Sequence, residues 1–329
     1  MKIFFLRGIN KEIKKKNAKR NELIESHLIN ALFSCFFCKG CIIYSENKSK
    51  FLDLFQKLLR IPYLYGKITK IEEFENHYAK IKHYDIPVLM YHQFVFKPED
   101  GGKIKLYVTY KQFELHLKIL RLLNYETITF NELNKIGLQN RFYKKYIIIT
   151  VDDGYKDNYT ILFSLLKKYK MKAVIFLVSG ISTNLWTIKS DNEKEFPLLN
   201  DYEVLEMQNS GLVEFGGHTL THPSLKKITD EQAIFEINED KKLSEKRLNK
   251  KLVVFAYPYG HRRENTKSIV ENAGYDFAVS TDTGSGIITE DRYDIRRTAI
   301  DKTSVFDFLR KISPGYLQYK AKKYKNKRG

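Results

Sequence analysis

The chain is poor in cysteine: its three residues, Cys35, Cys38 and Cys41, fall in one short run of a 329-residue sequence. An odd count confined to one run argues against a disulfide framework. The C-x-x-C-x-x-C spacing leaves two readings open. The thiols are either buried as small apolar side chains, or three ligands of a zinc or iron–sulfur site for which no nearby cysteine supplies a fourth. Long apolar runs are also missing. No stretch of 18 uncharged apolar residues occurs, and Leu28 to Tyr44, the most apolar segment, is broken at Lys39 and Gly40. That segment reads as a buried helix followed by a strand, not as a membrane span. The Ile3 to Leu6 patch is far too short for the core of a secretory leader, so a reducing, cytoplasmic compartment is expected. Acidic residues are outnumbered 39 to 57 by Lys and Arg, for a formal net charge of +18. Genomic base composition accounts for such an excess as readily as attraction to anionic lipid, a phosphorylated glycan or nucleic acid. No nucleic-acid motif or aromatic-interleaved basic stretch accompanies the charge, and nucleic acid is not an expected partner.

With 43% hydrophobic residues the chain can bury one large core, or a core and a small extra domain. Residues 1–85 read as an α/β extension: strand-like Lys2 to Leu6 and Cys41 to Tyr44, helical Asn21 to Phe33 and Phe51 to Leu59, then a charged connector from Lys67 to Asp85. This extension lacks a glycine-rich phosphate loop, so no binding role follows from it. From Pro87 onward the pattern turns regular. Pro87 to Tyr91, Tyr146 to Val151, Ala173 to Val178, Val213 to Gly216, Leu252 to Ala256 and Phe277 to Ser280 are apolar runs of strand length. Helical segments such as Lys111 to Leu123 and Thr229 to Leu248 lie between them. Strands alternating with helices predict an α/β fold with a parallel sheet, open or closed into a barrel, over residues 86–315. A basic tail, 316–329, follows. In such barrels the chemistry gathers at the C-terminal ends of the strands.

Three strand ends carry residues suited to chemistry. Ile147 to Val151 runs into Asp152-Asp153-Gly154. Two adjacent carboxylates repel, so a cation, a shared proton or an arginine must compensate them, unless the pair only caps a helix and turns the chain. Val213 to Gly217 leads into His218-Thr219-Leu220-Thr221-His222. Two histidines four apart can hold one metal, although eight histidines make such a spacing weak on its own. Combined with an aspartate from the first strand end, they form a ligand set suited to catalytic zinc. The third end, Tyr257-Pro258-Tyr259-Gly260, is a rigid turn that can also aim a backbone N–H into a site.

Taken in order and spacing, Thr150-Val151-Asp152-Asp153-Gly154, His218-Thr219-Leu220-Thr221-His222 and Tyr257-Pro258-Tyr259-Gly260 resemble the first three motifs of the polysaccharide deacetylases, the NodB-homology or carbohydrate esterase family 4 domains. Pro87 to His92, the Phe113, Leu117 and Leu120 helix, and Ser210 to Glu214 extend the resemblance over roughly Ile86 to Ser313. The resemblance implies a distorted (β/α)7-type barrel. It implies that Asp153, His218 and His222 hold a divalent metal, zinc before cobalt or nickel, and that Asp152 is the base. The backbone N–H of Tyr259 would face the oxyanion, with Tyr257 and Pro258 beside the substrate. The sequence departs from the family pattern at two places. Ala256 stands where an arginine opens the third motif, and Tyr293 to Ile300 lacks the histidine of the late motif. In both respects the chain resembles the branch of poly-N-acetylglucosamine deacetylases, in which a Tyr-His after the first strand supplies the acid. His92 is then the acid and Arg297 the residue that orients Asp152.

The expected function is metal-dependent removal of N-acetyl groups from a carbohydrate, whether a surface-glycan polymer, an oligosaccharide or a lipid-linked precursor. A catalytically impaired glycan-binding or scaffold protein on the same barrel is the competing class. The basic run from Lys320 to Arg328 suits peripheral contact with an anionic membrane surface.

Overall fold

The computed structural model describes residues 86–138, 145–281, 284, 286–301, 303–312 and 316. The expectations for residues 1–85, with the cysteine run, and for the basic run from Lys320 to Arg328 lie outside them.

In chain order the strands are β1 (Val88–Tyr91), β2 (Gln93–Val95), β3 (Tyr107–Thr109), β4 (Tyr125–Thr127), β5 (Lys145–Val151), β6 (Ala173–Leu177), β7 (Val213–Gly217), β8 (Val254–Ala256), β9 (Phe277–Val279) and β10 (Thr298–Ala299). The main sheet runs β10-β1-β5-β6-β7-β8-β9, and every neighbouring pair is parallel. Along β5, β4 pairs with the first half, Lys145 to Ile147, and β1 with the second, Ile148 to Val151. β2 and β3 form a separate parallel pair. The path of seven strands curls into a half-barrel, in agreement with the expected fold class. All six apolar runs named above form strands, because each is buried on both faces, as in β5 from Ile147 and throughout β6.

The helices are α1 (Tyr110–Leu122), α2 (Phe130–Ile136), α3 (Ser164–Tyr169), α4 (Leu185–Asp191), α5 (Asp201–Asn209), α6 (Asp230–Leu248), α7 (Thr266–Asn272) and α8 (Val305–Ile312). Four begin with reciprocal capping pairs: Thr109 with Gln112, Thr129 with Glu132, Asn200 with Glu203 and Thr229 with Gln232. The cap side chain accepts the third N–H of the helix, and the third side chain accepts the cap's own N–H, so each helix starts at one defined residue. One face of the sheet, through Val88, Ile148, Val174, Phe176, Val254, Ala256, Phe277 and Val279, packs on Phe130 and Leu133 of α2. That core holds the strand ends in register. No helix among the described residues is long and apolar enough to cross a membrane.

Candidate active site

The C-terminal ends of β1, β5, β7 and β8 deliver His92, Asp152 and Asp153, His218, and the Tyr257 to Gly260 turn. The β1 and β5 ends are tied one residue past the strand, where the Asp152 N–H donates to the Tyr91 carbonyl (2.9 Å). The chain then turns sharply: Asp153 (φ 76°) and Gly154 (φ 68°) are both left-handed, which sends the two neighbouring carboxylates in different directions. A side chain at 154 would be strained at that φ and would place its Cβ 2.9 Å from Leu177.

Asp153 faces the two histidines. Its Oδ1 lies 3.4 Å from Nε2 of His218 and 3.4 Å from Nε2 of His222, and one ligand atom from each residue lies within 4.8 Å of the others. Tetrahedral ligands about 2.0–2.1 Å from a cation stand roughly 3.3–3.4 Å apart, so this spacing fits a metal. All three side chains are buried. His218 is oriented from behind, because its Nδ1–H donates to the Ala256 carbonyl (2.7 Å) and turns Nε2 toward Asp153. The residue standing at the third motif's missing arginine thus contributes through its backbone.

The His218 to His222 loop is held from below by α6. Asp240 Oδ2 accepts the His218 N–H (3.0 Å). One helical turn earlier, Glu236 accepts the Thr221 N–H (2.9 Å) and hydroxyl (2.6 Å), and its carbonyl accepts the Leu220 N–H (3.1 Å). Thr219 and His222 adopt φ 70° and 63°, and the Thr219 hydroxyl accepts the His222 N–H (3.0 Å). Gly217 has no room for a side chain, since a Cβ there would run into the Tyr275 hydroxyl and lie 2.6 Å from Asp240 Oδ2.

Asp152 has a different counter-charge. Arg297, fully buried just before β10, grips both carboxylate oxygens, Nη1 to Oδ1 at 2.5 Å and Nη2 to Oδ2 at 2.7 Å. Its remaining donors reach the Thr150 hydroxyl (3.0 Å) and the Ser280 carbonyl (2.7 Å). Burial by itself raises the Asp152 pKa, but the charge and hydrogen bonds of Arg297, with smaller contributions from His218 and His92, hold it below the ordinary carboxylate value. Burial likewise opposes the charge on Asp153, and the hydrogen bonds from His218 and His222 outweigh it, so its pKa too is lowered. Both carboxyls are therefore anionic at neutral pH. His92 Nε2 stands 3.8 Å from Asp152 Oδ2, and its side chain is 17% exposed, open to the mouth of the site. Its carbonyl is held by Asn158 (3.1 Å), and neighbouring Asp157 accepts the Phe94 N–H (3.0 Å). Burial, reinforced by the charge of Asp153, pushes the Asp157 carboxyl up to about 8 against hydrogen bonds from the Phe94 N–H and the Asn158 side-chain amide (2.8 Å).

The third-motif turn divides into a buried base and an exposed tip. Tyr257 and Pro258, expected beside the substrate, lie in the base: both are buried, and the Tyr257 hydroxyl donates to the Tyr293 carbonyl (2.8 Å). The tip is Tyr259, at φ 59° and 45% exposed, with its ring 4.7 Å from that of His222. The turn closes through the N–H groups of Gly260 and His261, and neither of those bonds uses the Tyr259 N–H. The Trp186 ring also stacks on His222, at 4.4 Å. Sequence reasoning missed Trp186, Asp157, Asn158, Glu236 and Asp240. Only Trp186, the chain's single tryptophan, carries a compositional signal.

A parallel half-barrel with a buried Asp-His-His cluster and an arginine-clamped aspartate at its strand ends is the arrangement of an amide-cleaving hydrolase. The polysaccharide deacetylase family profile matches residues 139–278. A polysaccharide deacetylase of Bacillus subtilis (strain 168), YxkH, is 31% identical over 65% of this chain and 71% of its own length. The poly-β-1,6-N-acetyl-D-glucosamine N-deacetylase of Staphylococcus aureus (strain MSSA476) is 25% identical over 68% of this chain and 78% of its own. Among solved structures, the Streptococcus pyogenes deacetylase PplD in complex with acetate superposes with a TM-score of 0.60 at 26% identity, covering 70% of this chain and 99% of that one. The chain belongs to the polysaccharide deacetylase family. It is a carbohydrate deacetylase, a hydrolase acting on carbon–nitrogen bonds other than peptide bonds.

Proposed function

We propose that this enzyme is metal-dependent and removes N-acetyl groups from an N-acetylglucosamine-containing glycan, with Asp153, His218 and His222 holding the cation. Two imidazoles and one carboxylate suit zinc, with cobalt or nickel as alternatives. A cation in that position supplies Lewis acidity, polarising the acetyl carbonyl and making water more acidic.

The protein's own groups account for the other steps. Asp152, ionised and fixed by Arg297, takes a proton from the attacking water. The Tyr259 backbone N–H donates to the oxygen that gains charge as the carbonyl carbon becomes tetrahedral. His92, on the open side of Asp152, delivers a proton to the departing sugar amine. Trp186 and Tyr259, both in ring contact with His222, give the acetamido sugar an apolar surface at the mouth. The Staphylococcus aureus relative supports a polymer of N-acetylglucosamine as substrate; an oligosaccharide or a lipid-linked precursor presents the same acetamido group.

The observation that carries this reading is the division of labour between adjacent aspartates, one on two histidines and the other on an arginine. Its test is Asp152→Asn, assayed for release of free amine from N-acetylglucosamine oligomers and, in parallel, for bound metal by elemental analysis. Turnover is expected to fall by about three orders of magnitude or more while metal content stays at the wild-type level. Activity within tenfold of wild type would remove Asp152 from the base role.

A further inference from the structure

The rim of the site carries side chains that the reaction does not use. Ser224 follows His222 by two residues, and its hydroxyl meets His261 Nδ1 at 3.0 Å. His261 lies beside Tyr259, with ring centroids 5.6 Å apart, so it is two ring contacts away from His222. A turn closed by the Lys227 N–H on the Ser224 carbonyl (2.8 Å) then presents Lys226 and Lys227, both exposed.

The arginines near this strip are already matched. Arg262 pairs with Asp294 and Arg263 with Asp230. On the facing turns of α6, Glu236 accepts the hydroxyl and N–H of Thr221, and Glu231 is exposed. Neither Lys226 nor Lys227 has an ion-pair partner among the described residues. The local field reflects this excess: the His261 pKa is lowered, by burial first and then by the charges of Lys226 and Lys227. Neutral His261 and two lysines thus form a cationic, hydrogen-bonding edge beside the acetamido position.

We propose that Lys226, Lys227 and His261 form a subsite for an anionic substituent, phosphate or carboxylate, carried by the glycan next to the sugar being deacetylated. The inference rests on the deacetylase reading of the same site and adds a substrate class to it: glycans that are both N-acetylated and negatively charged. It also gives part of the chain's positive charge a location. Exposed cations each contribute a factor of roughly 1.4 to 5 to binding one anion, so the pair yields about a 2- to 25-fold preference that weakens with salt.

Trp186 provides the readout, because it is the only tryptophan in the chain and stacks on His222. Fluorescence titrations of the full chain would compare N-acetylglucosamine, its 6-phosphate and the corresponding 6-carboxylate. The anionic sugars are expected to bind about 2- to 25-fold more tightly than the neutral one. In Lys226→Gln/Lys227→Gln the ratio should fall to about one. Taking the ratio within each variant cancels any general loss of folding or affinity. Preference for both anions establishes general anion recognition, and preference for the phosphate alone assigns the subsite to phosphate. Equal affinities in the wild type, or a preference that survives in the double variant, would overturn the proposal. Absence of hydrolysis on both neutral and anionic N-acetylated oligomers would instead refute the deacetylase mechanism, leaving the binding ratio to stand or fall separately.

Discussion

Replacing Arg297 with lysine separates charge from geometry at Asp152. The guanidinium makes four hydrogen bonds, two to Asp152 and one each to Thr150 and the Ser280 carbonyl. Lysine keeps the positive charge, so the buried carboxylate is not abandoned, but one ammonium cannot reproduce the planar fork and also reach Ser280. Loss of one or two charge-assisted bonds costs about 2–4 kcal/mol of stability, which a domain stable by about 5–15 kcal/mol survives. The functional cost arises from Asp152 gaining freedom to rotate. Removing such a supporting contact typically costs 10–100-fold, and a misplacement of about 1 Å costs roughly a hundredfold. Arg297→Lys is therefore expected to lower kcat about 30- to 100-fold with KM within about twofold of wild type. The assay is free-amine release from N-acetylglucosamine oligomers, with a urea titration on the same preparation. Arg297→Met is the harsher control, since it leaves a buried charge unpaired and should cost about 3–5 kcal/mol. A lysine variant that loses stability yet keeps kcat within threefold would refute the reasoning, because Arg297 would then serve folding alone.

His92→Gln keeps a polar side chain but cannot transfer a proton, and a loss in kcat of about a hundredfold is expected in the same assay; wild-type rates would return the acid role to another group. Gly217→Ala should destabilise the protein by about 1–3 kcal/mol and loosen His218, because the new methyl would displace Tyr275 and Asp240; an unchanged melting temperature would contradict the close approach described above. His116 is buried between the Tyr91 hydroxyl (3.2 Å) and the Phe308 ring (4.0 Å), and burial, aided by Lys311, brings its pKa down to about 3. Below about pH 6.5 the unfolded chain takes up a proton there that the folded chain refuses, so stability is present above that pH and lost as pH falls toward 3. Between pH 7 and pH 5 this one group costs about 2 kcal/mol. Urea midpoints across that range should fall less steeply in His116→Gln than in the wild type, and parallel slopes would show that His116 is not the group responsible.

The parts of this site that could be read from the sequence are those in which a strand and its chemistry are contiguous. Ile147 to Asp153 declares both a buried strand and its carboxylates, and Val213 to His222 a strand and its imidazoles, because apolar length and ligand type sit side by side. The need for compensation of the Asp152–Asp153 pair was also visible, with a cation, a shared proton and an arginine as open alternatives; the structure gives Asp152 the arginine, and the left-handed turn at Asp153 sends the second carboxylate to the two histidines. Arg297 could be named only through resemblance, because 145 residues separate it from Asp152 and the β10 that follows it is two residues long. The grip of Asp240 and Glu236 on the histidine loop was hidden for another reason. On a long polar helix two more acids look like solvated surface, and only the packing of α6 beneath β7 makes Asp240 a buried anchor and Glu236 a half-buried one. Tyr257 was placed beside the substrate because it belongs to a motif, whereas a full tyrosine ring at the foot of a tight turn has nowhere to go but the core.

The left-handed residues at the mouth have a consequence for the protein's adaptability. Asp153, Thr219, His222 and Tyr259 all carry side chains in a conformation that suits glycine, at a cost of roughly 1–2 kcal/mol each. Glycine at Asp153 or His222 would relax the backbone and break up the Asp-His-His cluster, and at Thr219 or Tyr259 it would remove the hydroxyl that accepts the His222 N–H or the ring that packs on His222. Selection for heat tolerance alone would therefore drift toward a sturdier barrel with an idle rim. Durability has to be found elsewhere in the molecule, in helix starts and strand faces, while these four positions stay under tension to keep the cluster and its surroundings in place.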